Sequence, residues 1–340
     1  MSTNGSLDPR RRVLVTGGGG YLGCVLVPRL LRRGYRVRVL DRLHWGHGPL
    51  AAVADRIELV EADVRDAGAT ARALDGADCV IALAGVTNDA TAERDPDANW
   101  QMNAVAIDTL ARECVRVGIE RLVLASSCSL YDGLPHGLHG EDAELRPRGA
   151  YSTSKHEAER TLLSMVGDGL CPTVLRNGTL FGWSPRMRYD LVVNTFVKDA
   201  LLEGRLLLHG GGRMRRPVVD VRDAADAAIA VLEAPAELVR GEVFNVVHAN
   251  HRIAELAAIV AGALEGRGRS VDLDHAPAPE LARDYECSGA KLAERLDMAP
   301  AHSVAGGVDD LLARIDLDDR AALEDPRNYN ARWPPSVLSG

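Results

Sequence analysis

Tyr151 and Lys155 stand four residues apart in Tyr151-Ser-Thr-Ser-Lys155, and a pair of hydroxyls, Ser126-Ser127, lies about two dozen residues upstream. On a helix, residues i and i+4 share one face, so the phenol and the ammonium point the same way. An ammonium beside a phenol stabilises the phenolate and lowers its pKa, which makes Tyr151 a general base toward a hydroxyl proton. Ser127 can hold the oxygen that gives up that proton. A lone Tyr-x-x-x-Lys is a frequent accident on helices. It gains meaning only from the elements that must position it.

The first of those elements opens the chain. Arg12-Val-Leu-Val-Thr-Gly-Gly-Gly-Gly-Tyr-Leu-Gly23 runs from a β-branched segment into a glycine cluster. An amphipathic segment, Val25 to Arg33, and a second β-branched run, Tyr35 to Asp41, follow it. Together they predict one βαβ unit built to hold a dinucleotide. The backbone must turn sharply beside a pyrophosphate, which residues without Cβ allow, and a helix starting near Tyr21 and Leu22 offers free N–H groups to the phosphates. Two glycine registers fit: Gly17, Gly20 and Gly23, or Gly18, Gly20 and Gly23. The position of Thr16-Gly17 at the strand end favours the first. Asp41 ends the second strand where an acid accepts hydrogen bonds from both adenosine ribose hydroxyls and repels a 2′-phosphate. NAD is therefore expected over NADP, although the neighbouring Arg42 weakens the distinction. The bound nicotinamide, being positive, would lower the Tyr151 phenol further.

Farther along, His44-Trp-Gly-His-Gly-Pro49 is expected to be a surface loop near the adenine, since no carboxylate or cysteine stands at ligand spacing to its histidines. Ile57 to Asp63 is a third strand, with Asp63 reaching toward the adenine amino group. Cys79 to Gly85 is a continuous apolar run of buried parallel-strand type, and its small residues Ala82, Ala84 and Gly85 let a cofactor lie close. Asn99 to Val117 is a helix, on which Asn103 is either a buried brace or plain surface. Arg121 to Ser127 is a fifth strand, and Tyr151 opens a helix that continues through Leu163.

Length and composition set bounds. At 340 residues the chain is long for one domain, and its formal net charge of −8 argues against nucleic acid and anionic membranes as partners. The six cysteines (Cys24, Cys79, Cys114, Cys128, Cys171 and Cys287) are scattered, so neither a disulfide framework nor a metal site is indicated. With no signal peptide and no apolar run of membrane-spanning length, a cytoplasmic protein is expected. Arg186, Arg188, Arg213, Arg215 and Arg216 concentrate guanidinium groups in this acidic chain. Arginine forks bind phosphate, so a diphosphate-linked sugar is the natural substrate, with Arg213 and Arg215 read as solvated loop charges.

The succession Thr16-Gly17-x-x-Gly20-x-x-Gly23, Asp41, Asp63-Val64, Leu83-Ala84-Gly85, Ser126-Ser127 and Tyr151-x-x-x-Lys155 resembles the extended short-chain dehydrogenase/reductases, the nucleotide-sugar epimerase/dehydratase group. Later markers are Leu175-Arg-Asn-Gly-Thr-Leu-Phe-Gly182, Arg216 to Asp223, and Gly241-Glu-Val-Phe-Asn245, so the resemblance runs from about Arg12 to about Leu312. It implies an α/β fold, a doubly wound parallel sheet with a smaller C-terminal substrate domain. The expected division is 10–180 plus 217–250 for NAD, 181–216 plus 251–316 for the nucleotide sugar, and tails at 1–9 and 317–340. Residues 216–223 are expected to return the chain to the main sheet.

The resemblance also implies cofactor contacts from Val64, Leu83, Asn103, Ser126 and Asn177, and substrate contacts from Cys128, Thr179, Asn194, Arg216 and Arg283, with Arg186 and Arg188 added by charge. Where members of the group usually have an asparagine, this chain has Thr179. A homodimer is implied, through the helices at 99–117 and 152–165, with Ala104, Leu110, Leu162 and Leu163 on their outer faces. The implied chemistry is oxidation of a sugar hydroxyl, usually at C4, to a transient keto sugar. Dehydratases of the group carry Asp-Glu after the serine and decarboxylases a Glu, whereas here the residues are Cys128-Ser129. A C4 epimerase is therefore expected. The alternatives are a 4-ketoreductase, dehydrogenase or dehydratase and, from another class, a non-catalytic dinucleotide sensor. Cys128 is read as a small buried residue rather than a reactive thiolate.

Overall fold

The computed structural model describes residues 11–278 and 283–332. The expected tail 1–9 and positions 333–340 lie outside the described residues.

Apolar β-branched runs and amphipathic segments alternate through the first half. They give β1 (Arg12–Thr16), α1 (Gly23–Arg32), β2 (Arg36–Asp41), β3 (Ile57–Glu61), α2 (Ala67–Leu74) and β4 (Cys79–Ala82). Short helices α3 (Asp89–Arg94) and α4 (Pro96–Trp100) precede α5 (Ala106–Val117) and β5 (Arg121–Ser127). Then come the two-residue strand β6 (Leu138–His139), α6 (Gly149–Ser164), β7 (Cys171–Asn177) and β8 (Thr179–Phe181). The second half runs α7 (Val192–Glu203), β9 (Arg205–His209), β10 (Arg215–Asp220), α8 (Val221–Glu233), α9 (Ala236–Val239), β11 (Glu242–Val246) and β12 (Ala249–Arg252). It closes with α10 (Ile253–Glu265), β13 (Asp272–Ala276), β14 (Glu286–Cys287), α11 (Ala290–Leu296), α12 (Val304–Arg314) and α13 (Arg320–Glu324).

Seven parallel strands form the main sheet in the order β11-β7-β5-β4-β1-β2-β3. Side chains alternate across it. Val13 and Val15 of β1 join one apolar cluster, with α1 and α8, while Leu14 between them joins another, with α5 and α6. Helices therefore cover both faces. The strand order reverses between β1 and β4, and a ligand crevice opens at the carboxyl ends of strands at such a switch point. Three smaller sheets complete the molecule: β12-β10-β8, β13-β9 and β14-β6.

Four details differ from the sequence reading. The strands expected to reach Asp63 and Gly85 end at Glu61 and Ala82, so both residues sit in loops at the sheet edge. The expected helix 99–117 is interrupted by a π-helical turn, Gln101–Val105. Residues 215–220 do not rejoin the main sheet, because β10 pairs with β8 and β12; α8 then packs on α1, with Arg29 3.1 Å from Asp226, and β11 makes the return beside β7. Local pattern names a strand but not its neighbour. Finally, the expected C-terminal tail is docked through Ala331: Tyr329 is buried, its hydroxyl donating to the Leu323 carbonyl at 2.6 Å, and Thr91 donates to the Asn330 carbonyl at 2.9 Å.

Candidate active site

A cleft of about 450 Å3 runs along the carboxyl ends of β1, β2, β4, β5 and β7. At one end is the glycine turn. Gly17 adopts φ +74°, and a Cβ there would lie 2.6 Å from the Ala84 backbone nitrogen. A Cβ on Gly23 would lie 2.5 Å from the carbonyl oxygens of Gly17 and Gly18. Gly20 faces only the Gly17 carbonyl at 3.2 Å, whereas Gly18 is pressed against Val39. Gly17 and Gly23, the two residues whose Cβ would strike backbone, fit the first and last glycines of the favoured register. The helix opens at Gly23 rather than Tyr21, and no side chain caps its first turn. The Cys24 N–H donates to the Gly20 carbonyl at 2.9 Å and the Val25 N–H to the Leu22 carbonyl at 3.1 Å, so an anion here would be met by the N–H groups just before them, those of Tyr21, Leu22 and Gly23. Tyr21 and Leu22 line the cleft, and the Tyr21 hydroxyl donates to the Gly182 carbonyl at 2.6 Å.

Asp41 accepts from the backbone N–H of Gly19 at 2.9 Å and of Leu43 at 2.8 Å. Burial pushes its carboxyl above the usual range, and those two bonds oppose the shift. Arg42 lies 3.2 Å from Asp63, whose carboxylate also takes the Arg65 fork. Burial works to raise the Asp63 carboxyl, but the Arg65 bonds prevail and hold it below its usual range. Val64, Leu83, Ala84 and Gly85 line the same wall.

The middle of the cleft holds the chemistry. Ser127 ends β5, and Tyr151 and Lys155 face it from α6. The Ser127 hydroxyl accepts the Ser129 N–H at 3.1 Å and lines the cleft together with the Tyr151 phenol. Lys155 donates to the Ala125 carbonyl at 2.7 Å, and burial brings its ammonium down to about 8. Burial likewise places the Tyr151 phenol above its usual value, with the neighbouring Ser127 side chain acting against it. The protein alone therefore does not produce the depressed phenol expected from the Tyr-Lys spacing. Asn177 stands in register with Ser127 on β7, and Ser126 lines the same stretch.

Positively charged groups gather at both ends. Arg188 is paired with Asp190 at 3.0 Å. Arg216 lies over the Tyr285 ring, 5.6 Å from its centroid, and donates to the Arg283 carbonyl. Arg283 binds Asp89 and reaches Ser152 at 3.4 Å. Thr179 lines this part too. Arg186, two residues before Arg188, has its guanidinium 4.2 Å over Trp45, and the charges it feels are those of Arg188 and Asp190 first, then of Cys24 and Asp41. It stands between the Arg188–Asp190 pair and the Asp41 end. Only 2% exposed, it is lowered by burial to about 9.

Three expected contacts are not on the cleft wall. Asn103 is the buried brace, its amide donating to the Val86 carbonyl at 3.1 Å and to Asn99 at 2.9 Å. Cys128 is buried just past the end of β5, in a cluster with Tyr131, Tyr285 and Cys287 and against the Arg176 carbonyl at 3.1 Å, its thiol pushed well up by burial and by Cys287. Asn194 accepts the Gly182 N–H at 3.0 Å and donates to the Tyr21 hydroxyl at 3.1 Å, so it shapes the loop rather than meeting a ligand. The sequence reading missed Asp89, Trp45, Tyr285 and Asn330, all of which line the cleft. The loop position of Trp45, right after the second strand, was the one local signal among them.

The residues present fit a dinucleotide and an anionic co-ligand. Among the described residues, buried polar atoms without a partner belong to Arg12, Asn88, Asn103, Asn177, Arg186 and Asn330. Four of these, Asn88, Asn177, Arg186 and Asn330, line this cleft. Each asks for a partner that the folded chain does not supply. No cluster of three or more His, Cys, Asp or Glu among the described residues is arranged to hold a metal, and no described helix is long and apolar enough to cross a membrane.

Comparison with known proteins agrees with this geometry. The profile of the NAD dependent epimerase/dehydratase family matches residues 13–246. The UDP-N-acetyl-alpha-D-glucosaminuronate decarboxylase of Bacillus cytotoxicus is 26% identical over 246 residues, 70% of this chain and 75% of that one. The UDP-glucose 4-epimerase of Lactobacillus helveticus is 26% identical over 327 residues, 89% of this chain and 95% of its own. Among solved structures, DesIV, the dTDP-glucose 4,6-dehydratase of Streptomyces venezuelae with NAD and TYD bound, superposes with a TM-score of 0.82 at 26% identity, covering 93% of this chain and 99% of that one.

Proposed function

The chain belongs to the NAD-dependent epimerase/dehydratase family, and within it we propose a nucleotide-sugar 4-epimerase with Tyr151 as base. The relatives span decarboxylation, epimerisation and dehydration, so the choice rests on the residues of the cleft. The observation that carries it is the combination of a complete Ser127–Tyr151–Lys155 set with Cys128 and Ser129 where elimination or decarboxylation would need carboxylates. Cys128 is buried just past the end of the strand, and Ser129 offers only a hydroxyl.

Gly17, Gly20, Gly23, Asp41 and Arg186 would hold NAD, which when bound supplies a reversible hydride acceptor and a positive charge beside the phenol. Ser127 holds the sugar oxygen. Tyr151 takes its proton at the phenol oxygen, and Lys155 stabilises the resulting phenolate. Return of the proton from Tyr151 to the keto oxygen, after the sugar presents its other face, completes epimerisation. Arg216 and Arg283, at the far end, suit a diphosphate linkage.

A second reading, a nucleotide-sugar dehydratase or reductase, draws on Asp89. Its carboxyl stands in the cleft, is raised by burial, and acts on the Tyr151 phenol, so it could serve as a further acid or base. Turnover of UDP- and dTDP-hexoses separates the two: C4 epimers without loss of water support the first, and a 6-deoxy-4-keto sugar supports the second.

A homodimer through the expected helices is part of the proposal, with half-buried Leu163 kept from the expected residues and the other three replaced. Ala104, Leu110 and Leu162 lie in the chain's own core, whereas Trp100 and Val105 on the same stretch are 39% and 40% exposed.

A further inference from the structure

A second charged pair lies behind the catalytic helix, and the chemistry above gives it no task. Glu159 and Arg176 are 2% and 4% exposed. Arg176 forks onto the carboxylate, with Nη2 2.7 Å from Oε2 and Nε 3.1 Å from each oxygen. Ser126 donates its hydroxyl to Glu159 Oε1. Arg176 Nη1 donates to the Tyr131 hydroxyl at 2.7 Å, and that hydroxyl donates to Asn245 at 2.9 Å. Both charges are fully partnered. Well-packed apolar residues would often stabilise a fold as much as a buried ion pair does, so stability alone is a weak reason for this one.

Its placement suggests another reason. Glu159 follows Lys155 by one turn of α6 and Tyr151 by two, and all three are on the helix's buried face. Lys155 holds the Ala125 carbonyl, while Glu159 holds the Ser126 hydroxyl. The helix is thus fastened to β5 at two successive residues just before Ser127. Burial opposes the Lys155 ammonium, and the charge of Glu159 acts in its favour. The other ionisable groups packed nearby do not replace it. Arg176, from β7, is taken up by Glu159, and Asp89 and Arg283 act on the Tyr151 phenol.

We propose that Glu159, held in place by Arg176, is a positioning residue for Lys155: its carboxylate faces the ammonium from the next turn of α6 and aligns it with the Ser127 end of β5. The inference rests on the reading of Tyr151 and Lys155 as the proton-transfer pair.

The chain contains three lysines, Lys155, Lys198 and Lys291. Protein labelled with 13Cε-lysine can therefore be titrated by NMR, with Lys155→Met assigning the signal, and no substrate is required. In the native protein the Lys155 signal is expected to titrate near 8. In Glu159→Gln the midpoint falls by about one unit, which lowers the protonated fraction about twofold at pH 7 and about tenfold well above pH 8, and in Glu159→Asp it falls by less. An unmoved midpoint in a folded Glu159→Gln protein overturns the proposal. Should that variant not fold, Glu159→Asp decides: a midpoint below the native one supports the coupling, and an unchanged one removes it. If Lys155→Met kept the native turnover of UDP- or dTDP-hexoses, the proton-transfer reading would fail instead, whatever the titration showed.

Discussion

Lys155 Nζ lies 2.7 Å from the carbonyl oxygen of Ala125 and donates to it, which fastens the ammonium to β5 two residues before Ser127. The lysine is thereby tied to the strand that carries the serine, and the helix that carries the tyrosine is tied with it.

This arrangement has a pH consequence. Burial lowers the Lys155 amine to about 8, so it is charged below that pH and loses its proton as pH rises through it. The rate constant kcat/KM for the sugar nucleotide is expected to fall about tenfold per unit above that point. Lys155→Met should lower the rate at neutral pH and remove that limb. A native profile flat to pH 10 would contradict the assignment.

Removing the phenol oxygen tests the base. Tyr151→Phe should cut kcat by about 10²- to 10⁴-fold, while leaving the dinucleotide content of the purified protein unchanged. Tyr151 is almost entirely buried, and the ring itself is retained, so thermal stability should move little.

Arg186 tests the division of the arginines. Loss of a charge-assisted contact to a bound phosphate or ribose group costs about 1.5–3 kcal/mol, roughly ten- to a hundredfold in affinity. Arg186→Ala is expected to raise the Kd of NAD by that factor and leave the KM of the sugar nucleotide near native. The reverse pattern would return Arg186 to the substrate side.

Gly23 is the position where the turn tolerates least. A methyl group there would sit 2.5 Å from two carbonyl oxygens, so the backbone must shift. Gly23→Ala should destabilise the fold by about 1–3 kcal/mol and release the dinucleotide, seen as a lower melting temperature and loss of bound cofactor after gel filtration.

Much of the molecule was readable from local pattern. The run Arg12–Asp41 sets its own strand, turn and helix, and Tyr151 and Lys155 share a face wherever that helix packs. What local pattern leaves open is settled by distant contacts. Arg186 and Arg188 are two residues apart in one loop, yet one goes to Trp45 and the other to Asp190, a choice made by residues far away in the chain. Asn330 reaches the cleft wall because Tyr329 buries beside Tyr189, their ring centroids 6.2 Å apart, and the Ala331 N–H finds Asp190 at 3.0 Å. A polar, proline-containing terminus gives no sign of either. The apolar residues assigned to an outer helix face at Leu110 and Leu162 were inward-facing, because a helix buried by its own sheet and a helix buried by a partner carry the same stripe.

In the proposed epimerase one hydride leaves and returns to the same sugar carbon within this cleft. Native protein incubated with UDP-, GDP-, dTDP- and CDP-hexoses in deuterated water, followed by sugar NMR, tests it directly. Interconversion of the C4 epimers of at least one hexose is expected, with no deuterium entering the ring and no NADH released. Deuterium at C3 or C5, formation of a 6-deoxy-4-keto sugar, or net NADH in solution would contradict it.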